Sequence, residues 1–387
     1  MSFIPLNEEQ REVQRVAREF ALAEITPHAA TWDRDAHFDR AIIARLGELG
    51  FLGMMIPEQY DGLGLDTWTY LTALEEIAAA DASIAVAMSV HNSLPTQMLL
   101  RWGSETQKER YLRPMARGEM LGAFALSEAD AGSDASALVA QAERDGDGWI
   151  LGGTKAWVTN GNTADVVLAM VRTDAPDNRR GSRGISAFVL TPDMSGFKVG
   201  KKENKMGLRA SPTTQIIFDD LRVPADALLG EEGMGFIYAM QSLENGRLGI
   251  AAQAIGIAQA ALDHSLQYAQ ERKQFGKSLR EFEAIQFKLA DMALRIVASR
   301  TLLHAAAAAK DRGESVTLHS SMAKLMASET AMWVTTQAIQ IFGGYGYMSE
   351  YPVERLFRDA KVTEIYEGTS EIQRIVIARE LYSERDR

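Results

Sequence analysis

One carboxylate near the C-terminus, Glu367, lies in the run Ile365-Tyr366-Glu367-Gly368-Thr369-Ser370. Ser370 and Gln373 follow with the spacing of a capping box, which predicts the start of a last helix. Glu367 is thereby expected on a short glycine-containing turn held by rigid structure, a setting that suits a general base. A solvated glutamate ahead of a helix has the same local pattern, so the rest of the chain must decide. Upstream, the run from Leu126 to Asp134 offers hydroxyls and backbone N–H groups on a flexible turn. Such a turn can cradle a phosphate without a positive side chain, although a plain connecting loop has the same composition. Trp157 and Thr159 alternate with Val158 and so share one face of a predicted strand. A flat aromatic beside a hydroxyl suits a planar cofactor, and a core tryptophan would show the same pattern.

Other chemistries find no support. Gly276-Lys277-Ser278 resembles the end of a phosphate-binding loop, but that motif needs a glycine where Glu271 stands. No G-x-G-x-x-G follows a strand, and no G-x-S-x-G elbow is present. The six histidines, His28, His37, His91, His264, His304 and His319, form no close ligand pair. The chain has no cysteine, which excludes disulfides, thiolate metal sites and a thiol nucleophile. With 41 basic and 52 acidic residues the formal charge is −11, which disfavours a nucleic-acid surface. No apolar run approaches the roughly 20 residues a membrane span needs.

The elements that must hold these residues come in three rhythms. Up to about residue 120 the pattern is helical. Val13, Val16, Ala17 and Phe20 fall on one face of a first helix, Asp66 opens a helix running to about Ala80, and Ser104 to Gln107 is a capping box. Over 121–230 short β-type runs appear: 149–151, 156–159, 166–171 and 185–190. Gly152-Gly153, Asn160-Gly161-Asn162 and Pro192 are predicted to break them, and 173–183 is polar and expected to be a mobile surface loop. With no helices between strands, this unit is not a Rossmann domain. From 231 to 387 long helices rich in alanine and leucine predict a bundle.

Five segments keep both motif and order: 124–133, 157–161, 271–276, 340–344 and 365–370. Taken together they resemble the acyl-CoA dehydrogenase family of flavoproteins, over nearly the whole chain. The resemblance implies an N-terminal helical domain, a central β-barrel-like domain and a C-terminal four-helix bundle, with FAD between the last two. Phe124, Leu126, Ser127, Gly132 and Ser133 would hold the flavin and its pyrophosphate. Trp157 would pack on the ring beside Val158, and Thr159 would bond near the flavin N5. Thr369 would touch the cofactor next to the base. Arg272, Phe275, Gln340 and Gly344 would reach a neighbouring protomer's FAD, with Gln274 and Gly343 also expected at the cofactor, which implies a homodimer or a homotetramer built as a dimer of dimers.

By the same resemblance an acyl-CoA lies between the flavin and Glu367, with Ser133, Glu244, Arg247 and Gly368 contacting it. Glu367 removes an α-proton, the β-hydride passes to N5, and trans-2-enoyl-CoA results. The Glu367 N–H and a ribityl hydroxyl would stabilise the enolate. Some relatives, of the isovaleryl-CoA type, carry the base just before the arginine matched by Arg247; here that residue is Gly246. Glu244 replaces a frequent aspartate, and Glu283 a frequent glutamine. Across 246–261 the sequence is most similar to short-chain, butyryl-type members, so the expected substrate is a short straight or short branched acyl-CoA. The expected electron acceptor is an electron-transfer flavoprotein. An oxidase of the same fold, distinguished by rapid oxygen-dependent turnover, is the alternative enzyme. A non-catalytic acyl-CoA-binding protein would bind without reducing flavin. No targeting segment is seen before the first helix, so a bacterial cytoplasm is expected, with a processed mitochondrial form as the alternative.

Overall fold

The computed structural model describes residues 4–175 and 181–385. The N-terminal part is helical: α1 (Glu8–Phe20), α2 (Thr26–Asp35), α3 (Arg40–Glu48), α4 (Thr67–Ala80), α5 (Ala82–Ser93), α6 (Pro95–Trp102) and the short α7 (Glu105–Gln107) and α8 (Arg113–Ala116). The predicted starts are found where side-chain oxygens can satisfy free N–H groups. Asp66 accepts from Thr69 N–H to open α4, and Ser104 and Gln107 form a reciprocal box.

The middle of the chain folds into one sheet. Its strands are β1 (Gly122–Ala125), β2 (Gln141–Asp145), β3 (Gly148–Thr159), β4 (Val166–Arg172), β5 (Ile185–Leu190), β6 (Phe197–Lys202), β7 (Thr213–Val223) and β8 (Leu228–Leu229). The order is β6-β7-β3-β2-β4-β5-β8, with β1 added in parallel to β4. The sheet is open, which corrects the barrel-like expectation. β6 forms one edge, and its exposed lysines, Lys198, Lys201 and Lys202, blunt it against further pairing. β4 and β5 are buried throughout, because each separates two cores. Val166, Leu168 and Met170 pack with helical residues such as Leu99, Leu112 and Ala239, whereas Val167, Ala169 and Val171 face Trp149, Val158 and Phe218.

Two further expectations change in this sheet. The runs 149–151 and 156–159 are one strand, β3, because pairing with β7 carries the chain through Gly152-Gly153 as a register shift rather than a turn. Residues 176–180 of the expected surface loop lie outside the described residues; of the rest, Ala175, Gly181 and Arg183 are exposed, but the loop is anchored at its start. The Asp174 side chain is 3% exposed and pairs with Arg172 at 3.2 Å.

The C-terminal part comprises α9 (Gly235–Glu271), a small hairpin of β9 (Lys273–Gln274) and β10 (Lys277–Ser278), α10 (Glu283–Asp311), α11 (Thr317–Phe342), α12 (Pro352–Val362) and α13 (Ser370–Arg385). α11 packs against α9, α10 and α13, giving the bundle, and α12 lies across α9 and α11. Residues 246–258 of α9 are buried on nearly every face, as a helix wrapped by neighbours must be. The core of this bundle is continuous with that of the N-terminal helices: α4 packs on α9, and Leu74 and Ile77 share one buried cluster with the α9 alanines. Among the described residues, no helix is long and apolar enough to cross a membrane.

Candidate active site

The turn between α12 and α13 is built from backbone that few residues adopt. Glu367 has φ 53° and Gly368 φ 94°. A left-handed glutamate is strained by about 1–3 kcal/mol and persists only where its surroundings over-determine it. Here they do. The Gln373 side-chain amide donates to the carbonyls of Glu367 (3.2 Å) and Gly368 (2.9 Å), and Lys324 Nζ donates to the Gly368 carbonyl (2.8 Å). A Cβ at 368 would stand 2.6 Å from Gln373 Nε2, so glycine is required there on two counts. The expected cap is shifted by one residue. α13 starts at Ser370, and Thr369 Oγ1 accepts from the Ile372 N–H at 3.3 Å, while the Ser370 hydroxyl is buried with no partner among the described residues. Gln373 is thus freed from a capping box and reaches back over the turn.

This turn points the Glu367 carboxylate into the protein, where neither oxygen has a hydrogen-bond partner among the described residues. Gly246 of α9 makes room for it: a Cβ at 246 would fall 1.8 Å from Glu367 Oε2. Burial pushes the carboxyl up to about 7, and the charges of Lys324 and Arg247 pull it down. Arg247 is itself 7% exposed, bonded through Nη1 to Ser321 Oγ at 3.3 Å, with no partner for its Nε among the described residues. Beside Glu367, the Tyr366 hydroxyl donates to Gln253 Oε1, and Gln253 Nε2 donates to the Ala82 carbonyl at 2.7 Å. Such a carboxylate, donor-free and poised near neutrality, is suited to accept a proton from carbon.

Two cavities meet at Glu367. The smaller, about 200 Å³, is walled by Val90, Leu94, Phe124, Leu126 and Leu243 and reaches Arg247. The larger, about 620 Å³, runs past Lys205, Leu208 and Thr213 to Ile365 and Thr369. Ser127, Gly132, Ser133, Trp157, Thr159, Glu367 and Gly368 line both. A third cavity, about 650 Å³, lies among α1, α4, α9 and α10 and includes none of the expected site residues.

The cradle loop owes its shape to a buried ion pair. Lys155 Nζ donates to Glu128 Oε1 (2.7 Å) and to the Leu126 carbonyl (3.1 Å). Glu128 also accepts from the N–H groups of Val139 (2.7 Å) and Ala140 (3.0 Å). A bulge between Lys155 and Val158 turns Trp157 outward at φ 55°, leaving it 55% exposed. A core tryptophan would be covered, so Trp157 is not part of the core. Val158 points the other way, into the β core. A planar cofactor with a phosphate tail fits this donor set: a wall of hydroxyls and small residues, an exposed indole, and a cavity of ligand size.

Arg272, Gln274, Phe275, Gln340, Gly343 and Gly344 line neither cavity at Glu367. They gather where α9 and α11 end, with Arg272 5.4 Å from the Tyr345 ring. Phe275 and Gly276 are the two left-handed residues of a two-residue hairpin turn, and Phe275 is 92% exposed. Glu244 also lies outside the lining, its carboxylate taking a bond from the Thr317 hydroxyl. Sequence reasoning missed Lys324, Lys155 and Gln253. For Lys324 a signal existed: a lysine set amid the small residues Ser320, Ser321, Ala323, Ala327 and Ser328.

Models of three domains match the chain in order: acyl-CoA dehydrogenase N-terminal domain over residues 7–119, middle domain over 123–221 and C-terminal domain over 233–382. The chain is 49% identical over 378 residues to the mitochondrial short-chain specific acyl-CoA dehydrogenase of Mus musculus, covering 98% of this chain and 91% of that one. Among solved structures, butyryl-CoA dehydrogenase from Megasphaera elsdenii superposes with a TM-score of 0.96 at 43% identity, covering 98% of this chain and 99% of that one. A chain from a structure of the electron transferring flavoprotein of Acidaminococcus fermentans also gives a TM-score of 0.96, at 45% identity, with 98% and 99% coverage.

Proposed function

The chain belongs to the acyl-CoA dehydrogenase family, and on that premise we propose that it desaturates a short straight or short branched acyl-CoA to the trans-2-enoyl-CoA, with FAD as cofactor and Glu367 as base. One observation carries this reading: a fully buried, donor-free carboxylate at the junction of two cavities, held near neutrality by burial against two cations. Ser127, Gly132, Ser133, Trp157, Thr159 and Thr369 would hold the cofactor along the larger cavity. Bound FAD supplies the acceptor for the hydrogen that leaves the β-carbon.

Every other part of the reaction falls to the protein. The thioester enters against Arg247, Ser133 and Gly368, with its acyl chain in the smaller, mainly apolar cavity. That cavity, about 200 Å³, suits a short chain, and relatives named for short-chain and butyryl substrates support the same class. The Glu367 N–H donates to the thioester oxygen and stabilises the enolate-like charge that develops there. Glu367 then takes the α-proton on a carboxylate oxygen. The walls exclude water, so the base keeps its raised affinity for that proton. We assign onward electron transfer to an electron-transfer flavoprotein, which the Acidaminococcus structure supports. The exposed Phe275 turn supports a second copy of the chain docking at the α9 and α11 ends.

The test is anaerobic titration of the FAD-loaded protein with acyl-CoAs of graded length, following the visible flavin band. A short chain should bleach it in the wild type. Glu367→Gln should bind the same acyl-CoA with bleaching slowed by about 10³–10⁴-fold. Bleaching by Glu367→Gln at the wild-type rate would remove the base, and no bleaching by any chain in the wild type would remove the reaction.

A further inference from the structure

Lys324 is buried in α11 at 0% exposure, and burial lowers its ammonium to about 8, opposed first by the charge of Glu367. An ammonium in such a place needs compensation. Its bonded partner is a neutral peptide oxygen, Gly368 O, one residue from the base. The carboxylates within electrostatic reach are Glu367, Glu364 and Glu371, and Arg247 is the cation that opposes it. Among the described residues, the cations around Glu367 are Lys324 and Arg247, and the phenols of Tyr70 and Tyr366 face it as neutral groups. Arg247 has further charges of its own beside it, Glu244 and Arg379.

We propose that Lys324 is a positioning residue that also acts through its charge. It grips the base loop through the Gly368 carbonyl and supplies the counter-charge that keeps Glu367 ionised, without donating to its carboxylate. The inference rests on Glu367 being the base. The geometry explains why the contact is indirect. A direct ammonium–carboxylate bond would stabilise the charged form so strongly that the base would be too weak. With no counter-charge, a carboxyl buried this deeply would be protonated at working pH. Holding the ammonium one peptide away gives attraction without a hydrogen bond. The mechanical role is shared, since Gln373 grips both the Glu367 and Gly368 carbonyls. Loss of Lys324 should therefore alter proton affinity more than it alters shape.

Two substitutions separate grip from charge. Lys324→Gln keeps a donor for the Gly368 carbonyl and removes the charge; Lys324→Met removes both. The rate of anaerobic flavin bleaching by butyryl-CoA is measured against pH for the FAD-loaded wild type, both variants and Glu367→Gln. Expected is an upward move of the acid limb by about one pH unit in both Lys324 variants, with Lys324→Gln recovering to within several-fold of the wild type at high pH. A readout without turnover accompanies it. The pH at which Glu367 ionises is taken from the melting-temperature difference between each protein and its Glu367→Gln counterpart, and it should rise by the same amount. Lys324→Gln carries the test alone should Lys324→Met not fold. An unmoved limb and an unmoved ionisation in Lys324→Gln, with Glu367→Gln still inactive, would overturn the proposal. An active Glu367→Gln would instead remove the base assignment beneath it.

Discussion

Two glutamates in this molecule are both buried and both approached by a lysine, yet they live under opposite rules. Glu128, under the cradle loop, takes bonds from the Lys155 ammonium and from two backbone N–H groups. Glu367 takes none, and its lysine is bonded to a carbonyl nearby instead. The first arrangement satisfies a charge and fixes a loop. The second leaves a charge unsatisfied in a strained turn, and that is tolerable only where the imbalance is used. With Glu367 as the proposed base, it is burial without donors, not burial alone, that sets the functional carboxylate apart.

The sharpest way to break this contrast is to strip Glu128 of its partner. Lys155→Met leaves an uncompensated charge inside the protein and should cost about 3–5 kcal/mol in urea unfolding. Adding Glu128→Gln should return part of it. If Lys155→Met were as stable as the wild type, the cradle pair would not be structural. Glu367→Gln should act in the opposite sense. Its folded value, about 7, lies above the ordinary 4.5, so the folded state holds the proton more tightly than the unfolded chain does. The resulting stability is present below about pH 4.5 and is lost as pH rises through about 7, which leaves the wild type at a disadvantage at higher pH. Relative to the wild type, Glu367→Gln should gain about 3 kcal/mol near pH 8 and nothing near pH 4, as read by unfolding at both. A gain that did not depend on pH would contradict the donor-free environment. The smallest effect belongs to Gly246→Ala. Its methyl would intrude on Glu367 Oε2, displace the base by an ångström or so and slow flavin reduction by about 10²-fold, with little change in acyl-CoA affinity.

The two regions also differ in how far sequence exposed them. Asp66, Ser104 and Gln107 were legible because caps are local chemistry, and the succession of helices, strands and helices was legible from periodicity. The turn residues that line the two cavities stood out as short runs of unusual residues. What escaped depended on partners distant in the chain. Gly152-Gly153 reads as a turn, yet pairing with β7 carries the strand through it. Closure of the sheet depends on its two edge strands, and those edges stay apart. The cap of α13 moved from Ser370 to Thr369 because Gln373 was drawn to the strained turn. Lys324 lies 44 positions before Gly368, and only the packing of α11 beneath that turn relates them.

The near-contact between position 246 and Glu367 also limits where a second carboxylate could stand. A carboxylate reaching the same spot from α9 would need a side chain at 246, and the first carbon of that chain would fall 1.8 Å from the present position of Glu367 Oε2. Two carboxylates at these addresses would therefore contend for one volume, and the flexible end of Glu367 would have to swing aside for the newcomer to fit.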